Sequence, residues 1–346
     1  MKSQRILVTD PTLRDGSHAC SHQISVEQIR RYATAAEAAG VDYLEVGHGN
    51  GLGASSLQVG LSLVPEGEML RTARACLKNT GLSVHVMPGF ATVKREIAQA
   101  LEIGVDLFRV GAHCTEADLT QRHISAVRNA GKEAWGILMM THMASKEVLL
   151  EESKKMQSYG AQGIVLMDSA GAAVPDDVRQ KIGLLAEKLE VPVGFHAHNN
   201  LGLSIANSLV ALEAGARIVD ATARGFGAGA GNAPLELLIA VMRRQGYPCR
   251  ADLYKVLDAA ELAAQLFAEN LPGSNSVTIV SGLAGVFSGF AKPVQRAAKQ
   301  LGVDPRDVFF ELGKRKVVGG QEDLILEVAS ELAQRKQSAP PPAPLA

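Results

Sequence analysis

Short β-branched and apolar runs alternate along this chain with longer stretches whose apolar residues return every three or four positions. That is the pattern of a strand followed by an amphipathic helix. Strands are expected at 6–9, 43–47, 82–87, 107–112, 134–140, 163–168, 193–198 and 218–222. Helices are expected at 26–39, 66–78, 92–103, 118–130, 146–159, 175–189, 202–214 and 235–245. Gly40, Gly104, Gly131, Gly160 and Gly215 fall where a helix closes on a left-handed residue. Eight such rounds point to an α/β chain folded as a closed (β/α)8 TIM barrel; an open doubly wound sheet fits eight regular rounds less well. Past residue 250 the alternation stops. Helical patterns at 251–269, 290–301, 305–313 and 321–335 predict a helical C-terminal domain over 251–335, behind a catalytic barrel over 1–250. The proline-rich stretch 336–346 is expected to be a disordered tail.

Composition narrows the class. Hydrophobic residues at 47% and charged residues at 21% supply a large core in a globular protein. A net charge of -1 and an aromatic content of 4% give neither the positive field nor the stacking surface that nucleic acid needs. Cys20, Cys76, Cys114 and Cys249 are scattered without CxxC spacing, which fits reduced thiols and a cytoplasmic location. No secretory apolar segment follows Met1, and no run of 18 apolar residues appears, so no membrane span is expected.

In such a barrel the chemistry belongs at the C-terminal ends of the strands. Strand 7 ends in His196-Ala197-His198, and alternation turns both imidazoles to one face, a natural pair of metal ligands. A carboxylate from strand 1 would complete a two-histidine, one-carboxylate set, because strands 1 and 7 both flank strand 8 in a closed barrel. Asp15 is the candidate and Asp10 its competitor. That donor set suits Mn²⁺, Fe²⁺, Co²⁺ or Zn²⁺ and does not choose among them. Arg14 can pair a substrate carboxylate, or simply bridge the barrel mouth. His18 is a candidate proton-transfer group, or else a surface loop histidine. The glycine-rich loop 225–231 lacks GxGxxG order and follows the eighth strand, so it reads as close backbone approach to a ligand, with Asn232 turned toward the metal. His85, His113, His123 and His142, taken singly, read as structural histidines.

Thr12-Leu13-Arg14-Asp15-Gly16 and the run HAHNNLGLSIANS at 196–208 resemble the signature of metal-dependent, pyruvate-handling TIM-barrel lyases, the superfamily of isopropylmalate synthases and hydroxymethylglutaryl-CoA lyases. TLRDGSHA (12–19), AHCTEAD (112–118), GAGAGNAPLE (227–236) and VGGQED (318–323) most resemble 4-hydroxy-2-oxovalerate aldolases. The resemblance implies Asp15, His196 and His198 as ligands of a divalent ion, Mn²⁺ with Mg²⁺ or Co²⁺ as alternatives. It implies Arg14 at the enolate oxygen, His18 as base on the C4 hydroxyl, Ser169 against the substrate and Asn232 near the metal. It also implies small-molecule substrates (a 2-oxo acid and an aldehyde), an oligomer, and an acylating aldehyde dehydrogenase partner held through the helical domain.

Three positions depart from the family pattern. Phe287 stands where the family has a tyrosine beside the substrate, His85-Val86-Met87 replaces a leucine-rich strand end, and Asn199 replaces a histidine. His85 and Met87 are expected to line the aldehyde pocket. Together these changes suggest a larger or more polar acceptor, aromatic aldehydes included, and a synthetic direction. The other classes weighed are a Claisen-type acyl-CoA condensing enzyme with the same metal set, a non-haem iron oxygenase, and a non-catalytic scaffold.

Overall fold

In a computed structural model, which describes residues 4–267 and 271–338, the apolar runs become parallel strands and the helical stretches become crossovers. The strands are β1 (Leu7–Leu13), β2 (Tyr43–Val46), β3 (Gly81–Val86), β4 (Leu107–His113), β5 (Glu133–Met139), β6 (Ile164–Asp168), β7 (Val193–Ala197) and β8 (Ile218–Asp220). They pair in sequence order, and β8 pairs back onto β1, so the sheet closes. Alternation sends Leu107, Trp135, Ile137, Val165 and Ile218 inward as an apolar plug. The expected barrel is present.

Its outer faces are covered by α1 (Val26–Ala39), α2 (Glu66–Cys76), α3 (Ala98–Ile103), α4 (Gln121–Asn129), α5 (Lys146–Ser158), α6 (Pro175–Lys188), α7 (Ser204–Glu213) and α8 (Leu235–Gln245). Helix α1 shows why such segments form. Ser25 and Gln28 make a reciprocal capping box, Ile29, Tyr32, Ala33 and Ala36 share the buried face, and Gly40 ends the helix in the left-handed region at φ 73°.

Strand β1 runs four residues beyond its expected end. Its register against β2 shifts between Asp10 and Leu13, and Pro11, which has no N–H to give, sits inside that irregularity. The kinked strand then passes into a 3-10 turn at Asp15–His18. The residues expected in a loose loop are therefore held on a rigid strand end.

Helix α9 (Leu253–Leu266), grouped by sequence with the C-terminal helices, packs instead into the barrel's core through Val256, Ala259, Ala263 and Phe267. A separate core is built by α10 (Ser276–Ala284), α11 (Ala291–Leu301), α12 (Pro305–Lys314) and α13 (Asp323–Ser338), around Val286, Phe290, Val294, Phe309, Leu312, Ile325 and Val328. Helix α10 was not anticipated. Helix α13 takes in residues 336–338 of the expected tail, and 339–346 lie outside the described residues. Among the described residues, no helix is long and apolar enough to cross a membrane.

Candidate active site

Two strand ends meet at the top of the barrel. Asp15 follows β1, His196 closes β7, and His198 lies just past β7 in a bridge to Asn232 of the glycine-rich loop. Each offers one ligand atom, and these atoms lie within 4.8 Å of one another, all in buried side chains. His198 Nε2 stands 4.0 Å from Asp15 Oδ2. His196 Nδ1 lies 2.9 Å from Asp220 Oδ2, which puts the ring proton on Nδ1 and leaves Nε2 as a lone pair. Among the described residues, His196 Nε2 has no hydrogen-bond partner. Asp10 is not part of this group. Its carboxylate faces outward and accepts from Tyr32 Oη at 2.6 Å and Thr12 Oγ1 at 2.5 Å.

Asp15 is braced from both sides, by Arg14 Nη1 donating to Oδ1 at 2.9 Å and Asn232 Nδ2 donating to Oδ2 at 2.5 Å. Burial alone would raise its pKa, but Arg14 and the neighbouring histidines outweigh that and hold the carboxyl well below the usual range. Burial and the company of His196 push His198 down to about 3, although Asp15 pulls the other way, so its imidazole stays neutral at neutral pH. A neutral imidazole beside an ionised carboxylate suits a divalent cation. The residues present fit the metal.

The glycine-rich loop is shaped by protein contacts as much as by any ligand. A Cβ on Gly227 would come within 2.7 Å of the Asn232 side chain, so glycine there lets Asn232 reach Asp15.

Arg14 donates through Nε to Glu45 at 2.5 Å and through Nη1 to Gly49 O at 3.2 Å as well as to Asp15. Its Nη2 and His18 Nε2 have no partner among the described residues. His18 Nε2 is 4.0 Å from Asp15 Oδ1, and burial lowers its basicity despite that carboxylate. A neutral imidazole and a free guanidinium N–H thus both stand beside Asp15, at its Oδ1 edge. Behind His18, the rings of His22 and His48 stack at 3.7 Å between centroids, and burial holds them down at about 2 and about 4.

The remaining expected residues separate. A cavity of about 190 Å³ is lined by Met87, Phe90, Met139, Met140, Ser169 and Phe287, among others. His85 does not line it. Strand β3 ends at Val86, so alternation no longer governs Met87, and His85 points to the barrel interior near Arg14, Glu45 and Arg109. Ser169 Oγ accepts from Met140 N at 3.1 Å. Phe287 also borders a larger opening of about 530 Å³ that His18 and His22 line, so its ring stands between the two spaces.

Glu45, Arg109 and Asp220 went unremarked in the sequence, and so did His22. Each of the first three is a single charge inside an otherwise apolar strand at an inward position, the pattern that could have found them.

The HMGL-like family model matches residues 5–263, and that of the DmpG-like communication domain matches residues 272–334. The chain is 58% identical over 337 residues to a 4-hydroxy-2-oxovalerate aldolase of Pectobacterium atrosepticum, covering 97% of this chain and 98% of that one. It is 57% identical to a 4-hydroxy-2-oxovalerate aldolase of Spirochaeta aurantia, covering 95% and 97%. In fold it resembles the carboxyl transferase domain of Rhizobium etli pyruvate carboxylase, crystallised with pyruvate and biocytin. There the TM-score is 0.83 at 18% identity, over 97% of this chain and 62% of that one.

Proposed function

Since the chain belongs to the HMGL-like family, among its 4-hydroxy-2-oxovalerate aldolases, we propose that Asp15, His196 and His198 hold the divalent ion of the reaction and that Arg14 and His18 carry the proton and charge movements. The reaction is the reversible cleavage of a 4-hydroxy-2-oxo acid to pyruvate and an aldehyde. The ion, Mn²⁺ by preference with Mg²⁺ or Co²⁺ as substitutes, supplies a Lewis acid for the 2-oxo group. His18, neutral and unpartnered at Nε2, accepts the C4 hydroxyl proton as the C3–C4 bond breaks. The electron pair of that bond passes into pyruvate as an enolate, and Arg14 Nη2 donates to the oxygen that gains the charge. Asn232 keeps Asp15 oriented. Ser169, Met87 and Phe287 border the aldehyde end. His85, sunk in the barrel, acts only on the shape of the floor. The observation that carries this reading is the meeting of the three ligand side chains with an unpartnered Arg14 N–H and an unpartnered His18 nitrogen.

The test is pyruvate release from 4-hydroxy-2-oxopentanoate, with and without Mn²⁺. Expected are metal-dependent release in the wild type and a loss of about 10²–10⁴ in kcat for His18→Ala, with Mn²⁺ binding retained. Metal-independent release, or an unaffected His18→Ala, would defeat the assignment of roles.

A second reading concerns the acceptor. Met87, Met139 and Met140 are flexible apolar side chains, and Phe287 adds a ring without a hydroxyl, so the cavity favours an aldehyde longer than two carbons, joined in the synthetic direction. The communication-type domain supports docking to an acylating aldehyde dehydrogenase that takes the aldehyde onward, within an oligomeric assembly.

A further inference from the structure

Arg109 has no exposed surface, and it carries its charge into the middle of the barrel. Alternation along β4 places Leu107, Arg109 and Gly111 on the inner face. Gly111 leaves room for the His85 ring, since a Cβ there would lie 2.8 Å from its Cε1. The guanidinium thus sits beneath the site and reaches across to two other strands. Its Nη1 donates to Glu45 Oε2 of β2 at 2.9 Å, and its Nη2 donates to Asp220 Oδ2 of β8.

Both carboxylates have second partners, and those partners are in the site. Glu45 Oε1 accepts from Arg14 Nε at 2.5 Å, and Asp220 Oδ2 accepts from His196 Nδ1 at 2.9 Å. The result is one unbroken chain, Arg14–Glu45–Arg109–Asp220–His196, with the enolate-facing group at one end and a metal-binding nitrogen at the other. Glu45, Arg109 and Asp220 line neither cavity at the barrel mouth. They touch the site only through their neighbours.

We propose that Arg109 is a positioning residue: held between Glu45 and Asp220, it fixes the ring of His196 and the guanidinium of Arg14 relative to each other across the barrel. This rests on the reading above, in which His196 binds the metal and Arg14 faces the enolate. The planar fork reaches the two carboxylates through two nitrogens held at a fixed spacing; a lysine ammonium has three donors but on one atom, so it does not reproduce that spacing. With Arg109 displaced, Asp220 loses its anchor, and the tautomer and tilt of His196 are no longer set. Glu45 at the same time becomes free to pull Arg14 from its pose. Stability alone does not call for such a chain, because buried ion pairs can often be replaced by apolar packing without loss.

The test uses the full chain with Mn²⁺ and two variants, Arg109→Lys and Glu45→Gln. The free aqua-ion signal in electron paramagnetic resonance reads Mn²⁺ affinity, and steady-state pyruvate release separates kcat from KM. Arg109→Lys is expected to weaken Mn²⁺ binding by about tenfold to a hundredfold and to lower kcat, in a protein that melts within about 5 °C of wild type. Glu45→Gln is expected to weaken Mn²⁺ less and to raise KM, because it loosens Arg14 first. The proposal is overturned if both variants fold and bind Mn²⁺ within about twofold of wild type. It is also overturned if neither folds, since the chain would then serve the barrel and not the site. A wild-type protein that neither binds Mn²⁺ nor releases pyruvate would defeat the functional reading itself, and with it any role for Arg109 there.

Discussion

At the scale of single residues, what was legible followed from strand alternation. His196 and His198 face together because they are two apart and the bridge of His198 to Asn232 carries the pairing one residue past β7, and Asp15 meets them because β1 and β7 flank β8. What was not legible depended on where a strand stops. Met87 lies one residue past β3 and turns into the cavity, while His85, inside the strand, turns to the axis. Phe287 is the position where residue chemistry bears most directly on selectivity, since it borders both spaces and packs edge-on against Phe290 at 5.6 Å. In Phe287→Tyr the added hydroxyl borders the cavity that Met87, Met139 and Met140 also line, where a polar group disfavours long alkyl chains. The ratio of kcat/KM for acetaldehyde over pentanal, in aldol addition to pyruvate, should rise by about tenfold. An unchanged ratio would remove Phe287 from the determinants of acceptor size.

Among elements, amphipathic helices and β-branched strands announced themselves, and one helix did not. Helix α10, reading SVTIVSGLA, is apolar nearly all round and rich in residues that favour strands, so no helical period stands out. The signal that was there is its start: Asn275 accepts from Val277 N and Thr278 N, and Thr278 closes a capping box. Side chains also tie one element to the next. Glu37, in the last turn of α1, accepts from the backbone N–H groups of Lys78, Asn79 and Thr80, which lead into β3. Burial would raise its pKa, but these bonds outweigh burial and bring it from 4.5 down to about 2. A carboxyl more acidic in the folded than in the unfolded chain stabilises the fold fully above pH 4.5, and that stabilisation fades as pH falls toward 2. Glu37→Gln should therefore cost about 1 kcal/mol at neutral pH, allowing for solvent screening of a partly exposed group. In urea unfolding the gap between variant and wild type should narrow steadily below pH 4.5. A gap that stays constant with pH would mean that the carboxylate charge contributes nothing.

Over the whole molecule, two cores are joined at the barrel mouth by polar contacts, and these make the helical domain a roof over the site. Lys292 Nζ donates to His18 O at 3.2 Å and Ala19 O at 2.8 Å, closing the turn that carries the proposed base. His142 Nε2 lies 2.9 Å from Gly285 O, and Ser288 N donates to Ser169 O at 2.9 Å. The most central of these ties is Asn200, two residues beyond His198 and fully buried. It donates to Thr278 O at 3.2 Å and accepts from Ser288 Oγ at 3.2 Å. No sequence pattern announces such a seam, because it depends on loops from distant rounds arriving at one place. The contact between barrel and helical domain was not legible. Asn200→Ala strands its two partners on the roof at once, besides a long bond from Ala230 N at 3.5 Å, so a loss of about 2–4 kcal/mol is expected, falling mainly on the roof and not on the barrel plug. Scanning calorimetry should then resolve the helical domain as an earlier transition, while the barrel melts close to its original temperature. Because Ser288 adjoins Phe287, KM for the 4-hydroxy-2-oxo acid should rise with Mn²⁺ affinity nearly unchanged. A single cooperative transition shifted as a whole would instead show that roof and barrel fold as one unit, with Asn200 a packing residue like any other.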